Sequence, residues 1–173
     1  PKPAAPSDDD TLRVGVNGTA GMSPDGPKAL LGGGLDVSLR IHGRLRAVVG
    51  AELLHRPSES NIRGELSSFQ LPLRVGAAWA FRRVDLEARL LLGIAPLWVR
   101  GSGEERSLHH TSWLPSLGVA LFYAMDIGGS IALRVGLVAE LRLRRQELRL
   151  RGVTTHETSR LTLLSSFGLR WAS

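Results

Sequence analysis

The chain has 173 residues, a length that suits one domain with a substantial core or one closed barrel. Its formal net charge is +6, and it contains no cysteine, so the sequence offers no disulfide framework. A mean hydropathy of +0.01 and the lack of any run of about 18 apolar residues argue against transmembrane helices. The basic residues are not interleaved with aromatic residues, so we expect no nucleic-acid partner.

The N-terminal stretch PKPAAPSDDD is rich in Pro, Ala and Asp. This composition favours an extended segment without a packed core of its own. We therefore predict a Pro/Asp-rich linker over residues 1–10 and a single domain over residues 11–173.

From Thr11 onward, apolar residues alternate with polar residues or glycine. In SIALRVGLVAELRLRR, residues 130–145, every odd position from 131 to 143 is Ile, Leu, Val or Ala, while the even positions include Arg and Glu. A helix would scatter the odd positions around its axis, whereas a strand places all of them on one face. The alternation predicts eight strands: Thr11–Ser23, Lys28–Ile41, Arg44–Arg56, Ser67–Phe81, Val84–Val99, Ser112–Met125, Ser130 to about Leu150, and Ser159–Ala172.

The predicted strands are long. Soluble strands average about five or six residues, and a tilted strand needs about 9–11 residues to cross a bilayer core, whereas most of these run for about 13–16. Tight turns are predicted at His42–Gly43, Arg82–Arg83 and Asp126–Gly129. Longer polar loops are predicted at Pro24–Pro27, Pro57–Leu66, Gly101–Thr111 and near Gly152–Thr158. Short turns at one end, longer loops at the other and an even strand number are typical of a transmembrane β-barrel.

We therefore predict an all-β fold, an eight-stranded antiparallel up-and-down transmembrane β-barrel. Both termini, and the linker, then lie at the short-turn, periplasmic end. Two sparse girdles of interfacial aromatic residues are expected. Their candidates are Trp79, Phe81, Trp98, Trp113, Tyr123 and Trp171. From about Thr11 to Trp171, the pattern resembles the small outer-membrane barrels of the OmpA transmembrane-domain and OmpX type. The resemblance implies a Gram-negative outer membrane and an interior filled by charged side chains.

The polar face of the strands carries charges of both signs. An eight-stranded barrel has an interior just wide enough for side chains, and unpaired charge there is costly. We therefore favour a structural network that plugs the lumen over an ion path. Its candidate members are Arg13, Asp36, Arg40, Arg46, Glu52, Arg74, Glu87, Arg89, Arg134, Glu140, Arg142 and Arg170.

The stretch LRLRRQELRLRG continues the seventh predicted strand beyond the membrane. Guanidinium groups suit phosphate recognition, and lipopolysaccharide carries phosphates. The candidate lipopolysaccharide contacts are Arg144, Arg145, Arg149 and Arg151. The alternative, which we favour, is a solvated hairpin rim without a ligand.

Three prolines, Pro72, Pro96 and Pro115, fall within adjacent predicted strands. Proline cannot donate a hydrogen bond to a sheet and is normally confined to edges or bulges. A lateral opening at this place would suit a barrel enzyme that modifies lipid A, which is the alternative function. Local bulges near the outer rim explain the prolines more simply.

No other motif predicts chemistry. Histidines such as His109 and His110 lie among loop serines and acids, but neither a catalytic set nor a metal-ligand spacing emerges. We predict no enzyme activity, no catalytic residue, no metal and no cofactor.

The sequence therefore predicts an outer-membrane anchor or interaction module that acts through its outer loops or its N-terminal linker. Its expected partners are membrane lipid, lipopolysaccharide and other envelope proteins. A soluble lipocalin-like barrel is the remaining alternative, and it would need the apolar faces to point inward.

Overall fold

The structure is a computed structural model of the chain. It describes residues 11–23, 26–61, 64–81, 85–103, 106–144, 147–150, 153–157 and 159–173. The predicted linker, residues 1–10, and the predicted turn at Arg82–Arg83 lie outside these residues. The strands are β1 Leu12–Ser23, β2 Gly26–His42, β3 Leu45–Asn61, β4 Gly64–Gln70, β5 Leu73–Phe81, β6 Leu86–Gly103, β7 Arg106–Gly128, β8 Ile131–Arg142, β9 Glu147–Leu150, β10 Val153–Glu157 and β11 Leu161–Ala172.

The long strands form one closed ring in which every neighbouring pair is antiparallel. β4 and β5 lie end to end and together fill one place in the ring, because β3 and β6 pair with both of them. β1 and β11 pair with each other and close the ring. The wall therefore has eight strand positions in sequence order, which confirms the predicted fold class. Among the described residues, no helix is long and apolar enough to cross a membrane.

The register of the ring fixes the tilt of the strands. One path of paired residues starts at Leu97 of β6, passes through Gln70, Leu54, Gly32, Thr19, Ser166, Gly136 and Phe122, and returns to β6 at Glu87. The path therefore returns ten residues away from its start. With eight strands, this stagger corresponds to a tilt of about 40–45° from the barrel axis.

The two faces of the wall differ in chemistry. Along β6, Leu90, Leu92 and Ile94 are exposed on the outside, whereas Glu87 and Arg89 are buried inside. Each wall position exposes at least one large apolar side chain: Val16, Leu35, Val49, Val75, Leu92, Val119, Leu137 and Phe167. The apolar faces point outward, which is the opposite of a lipocalin-like barrel.

All six predicted interfacial aromatic residues are exposed on the outer surface. Trp79 pairs with Ala88 near the short-turn end, and Trp98 lies ten residues farther along β6. Ten residues of strand span about 33 Å. At the tilt of the ring, this places the two aromatic levels about 25 Å apart, the height of the apolar band in outer-membrane barrels.

The predicted outer loops are largely paired strand. β3 and β4 stay paired out to Asn61 and Gly64, and β6 and β7 out to Gly103 and Arg106. β2 begins at Gly26, within the loop predicted at Pro24–Pro27. Backbone hydrogen bonds between the two strands of a hairpin form whether the side chains are polar or apolar. The polar composition of these segments was therefore not enough to distinguish a loop from a strand. We call this end of the barrel the hairpin end.

The seventh predicted strand is shorter than expected. β8 ends at Arg142, and residues up to Leu150 belong partly to β9, which pairs with β10 as a separate hairpin. β10 occupies most of the segment predicted as a loop near Gly152–Thr158. Apolar and polar residues keep alternating across the end of β8, so the sequence pattern could not show that the strand ends there.

The wall is continuous around the three prolines. Pro72 separates β4 from β5, yet its carbonyl accepts a hydrogen bond from Glu52 N at 3.1 Å. Leu71 N donates to the carbonyl of Pro96 at 3.1 Å, and β6–β7 pairing continues through Pro96 and Pro115. The strands therefore stay hydrogen-bonded where the alternative function required a lateral opening.

Candidate functional site

The barrel interior near the short-turn end holds a chain of ion pairs that we call the Asp36 cluster. It consists of Arg13, Asp36, Glu87, Arg89, Phe122 and Arg134. Arg89 joins both acids, with Nε 2.6 Å from Glu87 Oε1 and Nη2 3.0 Å from Asp36 Oδ1. Arg134 donates to Asp36 through both terminal nitrogens. The ion pairs of Asp36 with Arg89 and Arg134 join β2 to β6 and β8, which are not its neighbours in the ring, so these contacts cross the interior.

Phe122 contacts two of the three arginines of this cluster. The guanidinium carbons of Arg89 and Arg134 each lie 4.5 Å from the centre of its ring. A desolvated cation over an aromatic face is stabilised by the ring quadrupole, so the ring supports the two charges that share Asp36. Sequence analysis did not single out Phe122, although its position next to the outward Tyr123 places it on the inner face of the strand.

Two glycines provide the space for this cluster. A Cβ at Gly136 would overlap the ring of Phe122, its partner across β7 and β8. A Cβ at Gly15 would lie 2.8 Å from Asp36 Oδ2 and 2.9 Å from Arg134 Nη1. Close approach therefore favours glycine at Gly136, where a rigid ring would be met, while a side chain at Gly15 would displace the ends of Asp36 and Arg134.

A second group, which we call the Arg74 cluster, lies closer to the hairpin end. Arg74 Nη1 is 2.5 Å from Glu52 Oε2, and Nη2 is 2.6 Å from Glu140 Oε2. Glu52 is on β3, beside β5, but Glu140 is on β8 across the interior. One guanidinium thus neutralises two buried carboxylates and links opposite walls.

The remaining residues of the predicted network have other partners. Arg46 is buried and donates to Ser38 Oγ at 3.3 Å and to the carbonyl of Thr11 at 3.3 Å. Arg40 lies outside both clusters, since its Nε makes an exposed hydrogen bond to the carbonyl of Gly43 at 3.0 Å. Arg170 lies within electrostatic reach of Glu87 and Asp126. Arg142 Nη2 donates to Gln70 Oε1 at 2.6 Å.

The interior is also partly apolar, which differs from the charged filling that the resemblance implied. One cluster of buried side chains contains Leu30, Leu54, Leu91, Ala120, Phe122, Val138 and Leu164. A second contains Ala95, Leu97, Val99 and Leu114. A usable signal was present in the sequence, because adjacent apolar residues such as Leu90–Leu92 and Leu163–Leu164 cannot all face outward from a strand.

The candidate lipopolysaccharide contacts are only partly described. Arg144 follows β8 and is exposed. Arg149 belongs to β9, and only its backbone is described. Arg145 and Arg151 lie outside the described residues. Within the described ranges, no three His, Asp or Glu side chains are grouped so that they could hold a metal ion.

This chain combines an ion-paired interior and an apolar exterior with eight tilted antiparallel strands. That combination is characteristic of membrane β-barrels. Neither protein-family models nor curated proteins match the sequence. Solved structures do match the fold.

Three of these structures are outer-membrane or surface proteins of bacteria. Neisserial surface protein A matches with a TM-score of 0.56 and 10% sequence identity. The match covers 94% of this chain and 96% of the neisserial chain. Ail, the attachment invasion locus protein of Yersinia pestis, matches with a TM-score of 0.57 and 11% sequence identity. The match covers 93% of this chain and 94% of Ail. A major outer membrane protein from Thermus thermophilus matches with a TM-score of 0.58 and 13% sequence identity. The match covers 94% of this chain and 99% of the Thermus protein. This chain therefore has the fold of bacterial outer-membrane β-barrels.

Proposed function

We propose that this protein is an integral outer-membrane β-barrel that serves as a membrane anchor or interaction module with a closed interior. The observation that carries the proposal is the polarity of the wall, which is apolar outside and charged inside, the reverse of a water-soluble barrel. Large apolar side chains are exposed at every strand position, while Glu87, Arg89 and Arg134 are buried inside. Water would not support so large an apolar exterior, whereas a bilayer core requires it.

The closed interior follows from the side chains that cross it. The Asp36 and Arg74 clusters tie non-neighbouring strands together by direct ion pairs, and apolar side chains fill the space around them. An eight-stranded barrel is just wide enough for side chains or for one small ligand, so no continuous aqueous channel remains. We infer that the interior stabilises the wall and does not conduct ions.

Planar bilayers provide the test of closure. Purified protein that is folded in detergent, and shows a heat-dependent shift on SDS gels, is expected to give no stable nanosiemens-scale conductance after reconstitution. A steady channel of that size in wild-type protein would refute the closed interior. A 16- to 18-stranded porin, which leaves an aqueous channel, serves as the positive control.

The start of β1 and the C-terminal residue lie together at the short-turn end, where Ser173 N donates to the carbonyl of Leu12 at 3.0 Å. In outer-membrane barrels, the short turns face the periplasm. We therefore place both termini, and a partner attached to the linker, on that side. An N-terminal tag should be labelled only after the outer membrane of the cells has been permeabilised.

Lipopolysaccharide is the proposed partner of the opposite end. The β9–β10 hairpin follows the exposed Arg144, and its Arg149 and Arg151 add two further charges. Arginine forks bind phosphate in a bidentate manner. The Arg149→Glu/Arg151→Glu variant is expected to bind lipopolysaccharide several-fold more weakly than wild type. Unchanged binding would remove this partner and leave the hairpin as a solvated rim.

A further inference from the structure

Polar side chains gather inside the barrel at its hairpin end, beyond the Arg74 cluster. We call them the Arg142 site: Arg56, Ser68, Gln70, Arg142 and Thr162. Each has a relative exposure between 2% and 6%. They come from β3, β4, β8 and β11, so they line the interior from both sides.

The guanidinium of Arg142 is held by neutral oxygens. Nη2 donates to Gln70 Oε1 at 2.6 Å, and Nη1 lies 3.5 Å from the carbonyl of Ser159. Glu140, two residues before Arg142 on β8, attracts it electrostatically, but Glu140 and Glu52 are both bound directly to Arg74. A buried cation that is hydrogen-bonded only to neutral groups keeps a strong affinity for an anion.

Other positive charges act on the same place. Arg56 and Arg74 both repel Arg142 electrostatically. Arg56 also pairs with Ser68 in the β3–β4 register, close to the pair formed by Leu54 and Gln70. Arg74 already makes direct ion pairs with Glu52 and Glu140, so Arg142 lies beside other guanidinium groups without a direct ion pair of its own among the described residues.

Two hydroxyl groups complete the site. Ser68 Oγ and Thr162 Oγ1 are buried and have no hydrogen-bond partner among the residues that the structure describes. Both can donate a hydrogen bond to an anionic oxygen. A buried polar group without a partner is costly, so a ligand or ordered water is expected at each of them.

We propose that the Arg142 site binds a small oxyanion of the phosphate class, either free phosphate or a phosphomonoester at the end of an outer-leaflet glycolipid. The guanidinium of Arg142 would supply the charge and two directed donors, and the hydroxyls of Ser68 and Thr162 would donate to the remaining oxygens. This inference is independent of the contacts proposed for the β9–β10 hairpin, since the Arg142 site lies inside the barrel.

Titration of the full chain in detergent micelles with inorganic phosphate tests the proposal. Binding is measured by calorimetry at constant ionic strength, with chloride as the competing salt. Wild-type protein is expected to show saturable binding, and Arg142→Gln is expected to weaken it about tenfold or more, because it removes charge-assisted hydrogen bonds. The matched control is Arg100→Gln, an exposed arginine on β6 at the same end of the barrel, whose affinity should change less than about twofold.

A second variant guards against a folding defect in Arg142→Gln. Ser68→Ala/Thr162→Val removes hydroxyls that have no described partner, so the barrel should keep its heat-dependent gel shift while phosphate binding falls several-fold. The proposal is overturned if inorganic phosphate gives no saturable binding, or if both variants bind it as wild type does.

Competition then separates the two sources of phosphate. Mixed micelles containing a phosphorylated glycolipid should displace inorganic phosphate if the ligand is a headgroup, while the same glycolipid without phosphate should not. Displacement by neither lipid supports a free-phosphate site. Equal displacement by both lipids would show that phosphate is not what is recognised, and would overturn the proposal.

Discussion

Arg74→Gln is expected to lower the free energy of unfolding by about 3–5 kcal/mol, the largest effect of any single substitution considered for this barrel. Arg74 is the direct ion-pair partner of both Glu52 and Glu140, and their side chains are only 6% and 8% exposed. Glutamine cannot supply a compensating charge, so two carboxylates would remain in the interior without a cation bound to them. Urea unfolding in detergent or lipid, followed by tryptophan fluorescence, measures the change.

Removing the carboxylates together with the arginine is expected to restore most of this loss. The triple variant Arg74→Gln/Glu52→Gln/Glu140→Gln leaves neutral groups that can hydrogen-bond to one another, so no uncompensated charge stays buried. Arg44→Gln, at an exposed turn residue, should change stability by no more than about 0.5 kcal/mol. A loss below about 1 kcal/mol for Arg74→Gln, or no recovery in the triple variant, would contradict the role assigned to the Arg74 cluster.

Leu92→Arg is expected to destabilise the barrel in a lipid bilayer by about 2–4 kcal/mol. Leu92 is 59% exposed and lies on β6 between the levels of Ala88 and Trp98. An arginine near the middle of the bilayer must leave water or distort the membrane, and both cost free energy. Equilibrium unfolding of the protein in phospholipid vesicles checks the value.

Ile41→Arg is the matched control for depth. Ile41 is 62% exposed, but it lies one residue from the end of β2 at the short-turn end. The same substitution near an interface costs only about 0–1 kcal/mol. If the barrel were soluble, both arginines would face water and both variants would stay within about 0.5 kcal/mol of wild type. Equal effects at the two positions would therefore contradict the membrane setting.

Much of the wall could be predicted from the sequence because a strand has a period of two. Leu90, Leu92 and Ile94 share one face and Glu87 and Arg89 share the other, wherever the strand is placed in the protein. That local rule identified the eight strand positions of the wall and the apolar side chains that face outward. It did not identify the ends of strands, as at Asn61 and Gly103, because backbone pairing beyond the apolar band leaves no hydrophobic signature.

The sequence by itself determined which residues share a face, and it assigned charge of both signs to one of those faces. Only the tertiary structure decided the partners. Arg134 donates to Asp36, 98 positions earlier in the chain, and Arg142 donates to Gln70 rather than to a carboxylate. These choices depend on the stagger of ten residues around the ring, which sets the height of each side chain inside the barrel. Stagger is a property of closure, and no single strand carries it.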